Sequence, residues 1–184
     1  RPVQVRAGRQ EDWGVTTRFR PMAAGTFKAA LDAQGWPIAM DVDYCQSIGS
    51  AWPADSRGLA HPPYWMPHYR LTQHIAETHI PAGRVRGTGA QPNAFYLECF
   101  IDELAHAAGM DPYKYRRALI AKNPPEPRDR WEGSGINGFR YRDDWLRALD
   151  RAAEMADWGK TLPEGMAQGI AIDDRRRGVR PADG

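Results

Sequence analysis

The amino-acid sequence predicts an α+β fold, in which a mixed β-sheet containing a hairpin carries helices packed on one face. Two observations point to this class, and a third bears on the number of domains. Residues 25–48 contain two strand-like runs with turn residues between them. Residues 92–122 repeat apolar side chains at helical spacing, and a further helical pattern begins near Asp143. The length of 184 residues is typical of one domain.

Composition and charge exclude several classes of protein. Hydrophobic residues make up 42% of the chain and charged residues 26%, so a core can form and a wholly disordered chain is excluded. No apolar run approaches the roughly 20 residues that a membrane-spanning helix needs. The net charge of +2 gives no indication of a nucleic-acid partner.

The first part of the chain, residues 1–80, is predicted to consist mainly of strands and loops. One strand runs from Gly25 to Leu31 and a second from Trp36 to Ile48, joined by a turn. In the second strand, larger apolar residues alternate with smaller or polar ones, which predicts one buried face. The residues of that face are Ile38, Met40, Val42 and Tyr44.

A proline-rich stretch, residues 49–68, separates these strands from the next one. Proline fixes the backbone angle φ and removes a hydrogen-bond donor, so this stretch is predicted to be a loop held in place by its aromatic side chains. Those side chains are Trp52, Tyr64 and Trp65. Residues 69–80 then return to a strand pattern.

Residues 81–122 are predicted to form a glycine-rich turn followed by two helices. Pro92 suits the start of the first helix, and Gly109 suits its end. Asp111 is a capping residue for the second helix, with Pro112 at its first position. The apolar stripe of the first helix comprises Leu97, Phe100, Ile101, Leu104, Ala105 and Ala108.

Residues 123–184 are predicted to form a linker, a third helix and a truncated strand. The helix begins near Asp143, and its apolar stripe comprises Trp145, Leu149, Ala152, Ala153 and Ala156. The strand is Gly169–Ile172. A domain rarely stops one step after entering a strand, and the chain begins at Arg1 rather than at Met. The sequence therefore indicates a single domain, residues 1–184, excised from a longer protein.

Few side chains show a pattern that indicates chemistry. The five histidines lack the spacing of a helical zinc site, and no serine or cysteine lies in a nucleophile signature. We therefore predict neither a catalytic nor a metal-binding residue. The two cysteines, Cys45 and Cys99, are predicted to be buried thiols rather than a disulfide.

A polar row on the first helix allows two interpretations. Glu98, Asp102 and His106 recur at intervals of four residues. Such a row is more often a solvated helix face than a pair of acid and base groups, so we expect these side chains to face solvent.

The most suggestive feature is the loop formed by Arg86, Gly87, Thr88 and Gly89. Two glycines let a backbone approach a ligand closely, and the amides at a helix start favour anions. The loop is neither a P-loop nor a dinucleotide fingerprint, because it lacks both Gly-Lys-Ser/Thr and a third glycine. Taken alone, it is best interpreted as a tight turn that leads into a helix.

From this loop onward, the sequence resembles the large molybdopterin-binding subunit of the xanthine oxidase and aldehyde oxidase family. The branch it resembles most is the beta subunit of isoquinoline 1-oxidoreductase with its bacterial aldehyde-dehydrogenase relatives. The run from Arg86 to Phe95 carries the resemblance, together with the runs at residues 100–112 and 115–119. Supporting matches lie at Arg1-Pro2-Val3, Arg20-Pro21 and residues 153–171.

This resemblance implies a segment of a molybdopterin-dependent oxidoreductase, a molybdenum hydroxylase that oxidises aldehydes or N-heterocycles. It implies three partners: the remainder of the large subunit, a [2Fe-2S] small subunit and a small-molecule substrate. By motif match, Arg86, Gly87, Thr88 and Gly89 would bind the molybdopterin cofactor, with the arginine-glycine turn against the molybdenum centre.

Two departures from the family pattern bear on activity. The chain contains no Gly-Gly dipeptide, which the family carries in an upstream cofactor loop, and no Gly-x-Gly-Glu motif, which carries its catalytic glutamate. We therefore expect residues 1–184 alone to bind no cofactor and to be inactive. The alternative is a non-catalytic scaffold or interaction module that kept the fold. Thr88 replaces an aromatic residue of xanthine oxidases, which argues against a purine-type pocket.

Overall fold

The computed structural model describes residues 3–6, 8, 10–11, 20–48, 56, 58–60, 62–80, 90–123 and 142–173. In this part of the chain, three strands and three helices form, and the α+β class is confirmed. The strands are β1 (Ala23–Leu31), β2 (Pro37–Ile48) and β3 (His68–Glu77). The helices are α1 (Ala90–Ala107), α2 (Pro112–Ala121) and α3 (Arg142–Met155). None of these helices is long and apolar enough to cross a membrane.

The three strands form one mixed sheet in the order β1-β2-β3. β1 and β2 are antiparallel and make the predicted hairpin, while β2 and β3 are parallel. Phe27 on β1 lies opposite Val42 on β2, and Val42 lies next to Leu71 on β3. This register places apolar side chains of all three strands on the same face, which the helices cover.

The predicted buried face of β2 is confirmed for Met40, Val42 and Tyr44, but it is wrong for Ile38, which is 46% exposed. The register between β1 and β2 shifts between Ala30 and Leu31, so Ile38 has no partner opposite it. An unpaired residue of this kind interrupts the alternation of faces, which explains why the pattern fails at that position.

The turn between β1 and β2 is held by a hydrogen bond within the turn and by contacts with α2. The Asp32 carboxylate accepts the backbone N–H of Trp36 at 2.8 Å, as expected of an aspartate that closes a turn. The Trp36 ring stacks on Tyr115 of α2 with centroids 5.2 Å apart. The Tyr115 hydroxyl donates to the Gly35 carbonyl oxygen at 3.0 Å. The hairpin turn is thus held against α2.

Two aromatic contacts give the direction of α1 across the sheet. Tyr96, near the start of α1, lies 6.4 Å from Tyr44 near the end of β2. Phe100, one turn later, lies 5.4 Å from Phe27, which pairs with the earlier β2 residue Val42. The residue after α1 reaches the β1–β2 turn. α1 therefore runs antiparallel to β2 and β3, and its N-terminus lies where those two strands end.

The helix boundaries follow the predicted signals. The Asp111 carboxylate caps α2 by accepting the backbone N–H of Lys114 at 2.9 Å, with Pro112 at the first position. Gly109 ends the preceding segment with a φ of +64°. The apolar stripe of α1 is buried at Leu97, Ile101, Leu104 and Ala105. In α3, Leu149 and Ala153 are buried and Trp145 packs against the core, but Ala152 and Ala156 are exposed, so the predicted stripe is too wide there.

Two further expectations differ from the structure. Gly169–Ile172 pair with no strand of the described part of the chain, although Ile170 and Ile172 pack against the core. Both thiols are free, but Cys45 is half-buried and Cys99 is exposed, so the prediction of buried thiols is wrong. The predicted linker falls mostly at residues 124–141, which lie outside the described residues.

We predict that Gly35→Ala destabilises the chain by about 2–4 kcal/mol, measured as the free energy of unfolding in denaturant. A Cβ at Gly35 would lie 2.6 Å from the Ala108 Cβ, and the φ of +84° is itself unfavourable for alanine.

Two other glycines distinguish the effect of the close contact from the effect of the positive φ. Gly109→Ala meets no atom within 4 Å but keeps a φ of +64°, so it should cost about 1–2 kcal/mol. Gly169→Ala meets neither obstacle and should leave stability within about 0.5 kcal/mol. An effect of Gly35→Ala no larger than that of Gly109→Ala would contradict the close contact between the turn and Ala108.

Candidate functional site

One edge of the sheet combines two features that favour ligand binding. β2 and β3 are parallel, so their ends at Ile48 and Glu77 lie at the same edge, and α1 begins there at Ala90. We call this region the carboxyl edge. Ligands of sheets with parallel strands commonly bind beyond the carboxyl ends of the strands, and helix N-termini attract anions. The first turn of α1 contains no acidic residue that would neutralise its positive end.

The described residues at the carboxyl edge are a mixture of buried polar and exposed apolar side chains. Gln46, near the end of β2, and Asn93, in the first turn of α1, are almost completely buried. Met22, Ile75 and Phe95 are more than half exposed. Ligand sites typically combine apolar walls with a few fixed polar groups, so this composition suits a binding edge.

The start of β1 is fastened to this edge by a reciprocal pair of hydrogen bonds. The Met22 backbone N–H donates to Ser47 Oγ at 2.8 Å. The Ser47 backbone N–H donates in return to the Met22 carbonyl oxygen, also at 2.8 Å. The hairpin is therefore closed as far as the carboxyl edge.

The predicted cofactor-binding residues Arg86, Gly87, Thr88 and Gly89 lie outside the described residues. Gly89 directly precedes Ala90 in the sequence, so the loop joins the described structure at the first residue of α1. Among the described residues, no group of three or more His, Cys, Asp or Glu side chains is arranged to hold a metal ion.

A buried polar network centred on Glu98 holds α1 in place. Glu98 Oε1 accepts the Tyr64 hydroxyl at 2.6 Å. Glu98 Oε2 accepts Arg116 Nε at 2.8 Å and the backbone N–H of Ile172 at 3.1 Å. These donors come from the loop before β3, from α2 and from the segment after α3. One carboxylate thus ties α1 to three distant parts of the chain.

The Arg116 side chain is fully buried and satisfied on all three nitrogens. Besides its bond to the Glu98 carboxylate, its Nη2 donates to the Glu98 carbonyl oxygen at 2.9 Å. Its Nη1 donates to Asp102 Oδ1 at 2.5 Å and to the Pro112 carbonyl oxygen at 3.3 Å. Because Glu98 and Asp102 are four residues apart, the guanidinium spans one turn of α1.

Burial and charge act in opposite directions in this network. Burial raises the pKa of Glu98, and the Arg116 charge together with the Tyr64 hydroxyl only partly offsets the rise. Burial also raises the pKa of Tyr64, so its hydroxyl stays protonated and donates. Burial opposes the charge on Arg116, yet Tyr64, Asp102 and Glu98 raise the Arg116 pKa, so the guanidinium remains charged.

The expectation that Glu98, Asp102 and His106 form a solvated face is therefore wrong for Glu98, which is only 5% exposed. Asp102 is half-exposed and paired with Arg116, and His106 is exposed. The missed signal is Arg116 itself, which falls within the apolar stripe of α2, between Tyr115 and Leu119. A charge at such a position requires a buried partner.

Residues 1–119 match the family described as molybdopterin cofactor-binding domain. The chain is 26% identical, over 93% of its length, to a membrane-bound aldehyde dehydrogenase [pyrroloquinoline-quinone] from Gluconacetobacter polyoxogenes. A stretch of 55 residues, 30% of the chain, is 47% identical to one subunit of a nicotinate dehydrogenase from Pseudomonas putida. The chain spans only 24% and 5%, respectively, of these two relatives.

Two solved structures share the fold of 75% of this chain. Quinoline 2-oxidoreductase from Pseudomonas putida 86 superposes with a TM-score of 0.57 at 17% sequence identity. The aldehyde oxidoreductase from Desulfovibrio desulfuricans superposes with a TM-score of 0.51 at 22% identity. The matched regions make up 18% and 15% of those chains, so this chain corresponds to a small part of each.

We predict that Arg116→Met lowers the free energy of unfolding by about 3–5 kcal/mol, because the variant leaves the buried Glu98 carboxylate without its counter-ion. Arg117→Met, the neighbouring change in the same helix, is the matched control. Arg117 pairs with Asp150 while 47% exposed, so its loss should cost no more than about 1 kcal/mol. Equal losses in the two variants, measured by denaturant unfolding, would show that the buried pair contributes no more to stability than the exposed pair.

A second prediction concerns pH. Because burial raises the pKa of Glu98 in the folded chain, folded Glu98 takes up a proton more readily than unfolded Glu98. This contribution to stability is present below the ordinary glutamate pKa and is lost as pH rises through the raised value. Relative to Glu98→Gln, the wild-type chain should therefore gain stability as pH falls from 7 toward about 4.5.

The measurement is the difference in free energy of unfolding between the two proteins across that pH range. Only the difference is informative, because other carboxylates titrate equally in both. If the wild-type chain instead lost stability relative to Glu98→Gln on acidification, the Glu98 pKa would be lowered rather than raised.

Proposed function

The chain belongs to the molybdopterin cofactor-binding domain family, and on this premise we propose that it forms one wall of the cofactor site in a molybdenum hydroxylase large subunit. The observation that carries the proposal is the position of α1. Its N-terminus lies at the carboxyl edge, and the loop that the sequence marks as cofactor-binding directly precedes it. The cofactor would accordingly bind beyond the ends of β2 and β3.

The described residues of the carboxyl edge suit a cofactor of this chemistry. Molybdopterin carries a phosphate and a polar heterocycle. The helix N-terminus, free of acidic residues in its first turn, favours the anionic group. Gln46 and Asn93 are buried polar residues at this edge, while Ile75 and Phe95 expose apolar surface there. When bound, the cofactor supplies two-electron redox chemistry, and the protein supplies position and field.

Within the loop, each residue has a distinct proposed role. Arg86 would anchor the turn with its planar guanidinium, which offers several donors in a fixed geometry. Gly87 would allow the backbone to approach the cofactor, because it lacks a Cβ. Thr88 and Gly89 would lead the backbone into the first turn of α1, where the free backbone amides would favour an anionic group.

The proposed substrates are aldehydes or N-heterocycles. The relatives support both classes, since their names specify aldehydes in two cases and nicotinate or quinoline in the others. We also propose that the chain works with the remainder of the large subunit and with a [2Fe-2S] small subunit. The nicotinate dehydrogenase relative is named as one subunit of its enzyme, which is consistent with a multi-subunit assembly.

The proposal predicts separable effects of two loop substitutions in the full-length protein. Gly87→Val should abolish molybdenum incorporation while the fold survives, because a branched side chain occupies the space the cofactor needs. Arg86→Lys should retain the metal but lower turnover, because lysine keeps the charge and loses the planar fork. Molybdenum content and the thermal midpoint are measured on the same preparations.

Gly169→Val is the matched control, since an added Cβ there meets no atom within 4 Å. It should leave molybdenum content and midpoint near those of the wild type. Normal molybdenum content in Gly87→Val, or a loss only in step with unfolding, would contradict the proposed role of the loop.

A further inference from the structure

We propose that Glu98 is a positioning residue, which fixes where α1 lies along the sheet and thereby where its N-terminus meets the cofactor. This inference rests on the proposed function. According to this inference, the buried Glu98 carboxylate affects the carboxyl edge, although that edge lies eight residues away along α1. That separation corresponds to about 12 Å of helix.

Apolar packing alone does not determine the axial position of α1. The helix contacts the sheet through side chains such as Tyr96 and Phe100, against Tyr44 and Phe27. Apolar contacts are non-directional, and cores repacked with other apolar residues lose a unique arrangement before they lose stability. A small slide of α1 would exchange one set of such contacts for another of similar energy.

The bonds to Glu98 are directional and arrive from three segments. Tyr64 approaches from the loop before β3, Arg116 from α2 and the Ile172 N–H from the segment after α3. All three distances lie between 2.6 and 3.1 Å. A slide of one residue along the helix moves the carboxylate by about 1.5 Å, which is enough to break these bonds.

The donors are themselves fixed, so they serve as a frame for α1. Asn123 Nδ2 donates to the Pro63 carbonyl oxygen at 2.7 Å, and the Trp65 N–H donates to the Leu119 carbonyl oxygen at 3.1 Å. These bonds hold the Tyr64 loop against the end of α2. Tyr64 and Arg116 therefore act on Glu98 as one rigid unit. The carboxylate sets the position of α1 relative to that unit, together with the Glu98 carbonyl oxygen and Asp102, which the same guanidinium binds.

The test uses the full-length enzyme with three variants: Glu98→Gln, Tyr64→Phe and Glu103→Gln. Glu98→Gln removes the charge at nearly constant size, and Tyr64→Phe removes a single donor. Glu103→Gln is the matched control, because it makes the same chemical change at an exposed residue of the same helix. Molybdenum content, turnover per molybdenum and the electron paramagnetic resonance spectrum of partially reduced molybdenum are recorded, with hydrogen exchange of α1 in the metal-free protein.

We expect Glu98→Gln to lower turnover per bound molybdenum about tenfold or more, with a shifted resonance spectrum, since displacements of about 1 Å are costly to catalysis. Amides in the first turns of α1 should exchange faster in the metal-free protein. Tyr64→Phe should show the same changes to a smaller degree, and it keeps the test valid if Glu98→Gln does not fold. Glu103→Gln should resemble the wild type.

Turnover per molybdenum, spectrum and exchange that remain unchanged in both Glu98→Gln and Tyr64→Phe, with only the thermal midpoint lowered, would overturn the positioning role. That result differs from a failure of the proposed function, in which the wild-type full-length protein itself would contain no molybdenum.

Discussion

The ion pair between Arg116 and Glu98 is the contact on which the arrangement of the other elements depends. Both side chains are buried, and removing two charges from water is unfavourable unless every donor and acceptor finds a partner. Those partners come from α1, α2, the Tyr64 loop and the segment after α3 that contains Ile172. The pair is therefore satisfied only when all four parts are assembled together, which makes their docking cooperative.

These contacts fix the orientation of α1 on the sheet, which is what matters for the proposed function. At one end of the sheet, the Trp36 and Tyr115 rings hold the hairpin turn against α2. In the middle, Glu98 joins α1 to α2 and to the Tyr64 loop. With these two constraints in place, α1 runs from the carboxyl edge toward the turn, and its positive N-terminal end is presented beside the ends of two parallel strands. The proposed cofactor loop enters at that point.

Local patterns predict most of the fold. The hairpin, the caps at Gly109 and Asp111 and the apolar stripe of α1 depend on short-range signals, and each is found as expected. The predictions fail where a distant partner decides the environment. The pattern predicts a solvated Glu98 because nothing in its own helix reveals the guanidinium that α2 supplies. It predicts a buried Ile38 because the register shift is set by pairing with another strand.

The candidate site is predictable only in part. The loop at Arg86–Gly89 stands out through its glycines and through family resemblance, whereas the position of the α1 N-terminus at the carboxyl edge depends on the direction of α1. That direction follows from long-range contacts such as those of Tyr96 and Phe100, which no sequence pattern contains. Gln46 and Asn93 do not stand out either, since a lone amide in a strand or a helix carries no distinctive spacing.

The most direct measurement is the location of the metal in the full-length protein, from anomalous X-ray scattering at the molybdenum absorption edge. We expect a molybdenum peak beyond the ends of β2 and β3, nearer to Ala90 than to Gly35. A peak nearer to Gly35, at the opposite end of the sheet, would contradict the assignment of the carboxyl edge as the cofactor-binding face.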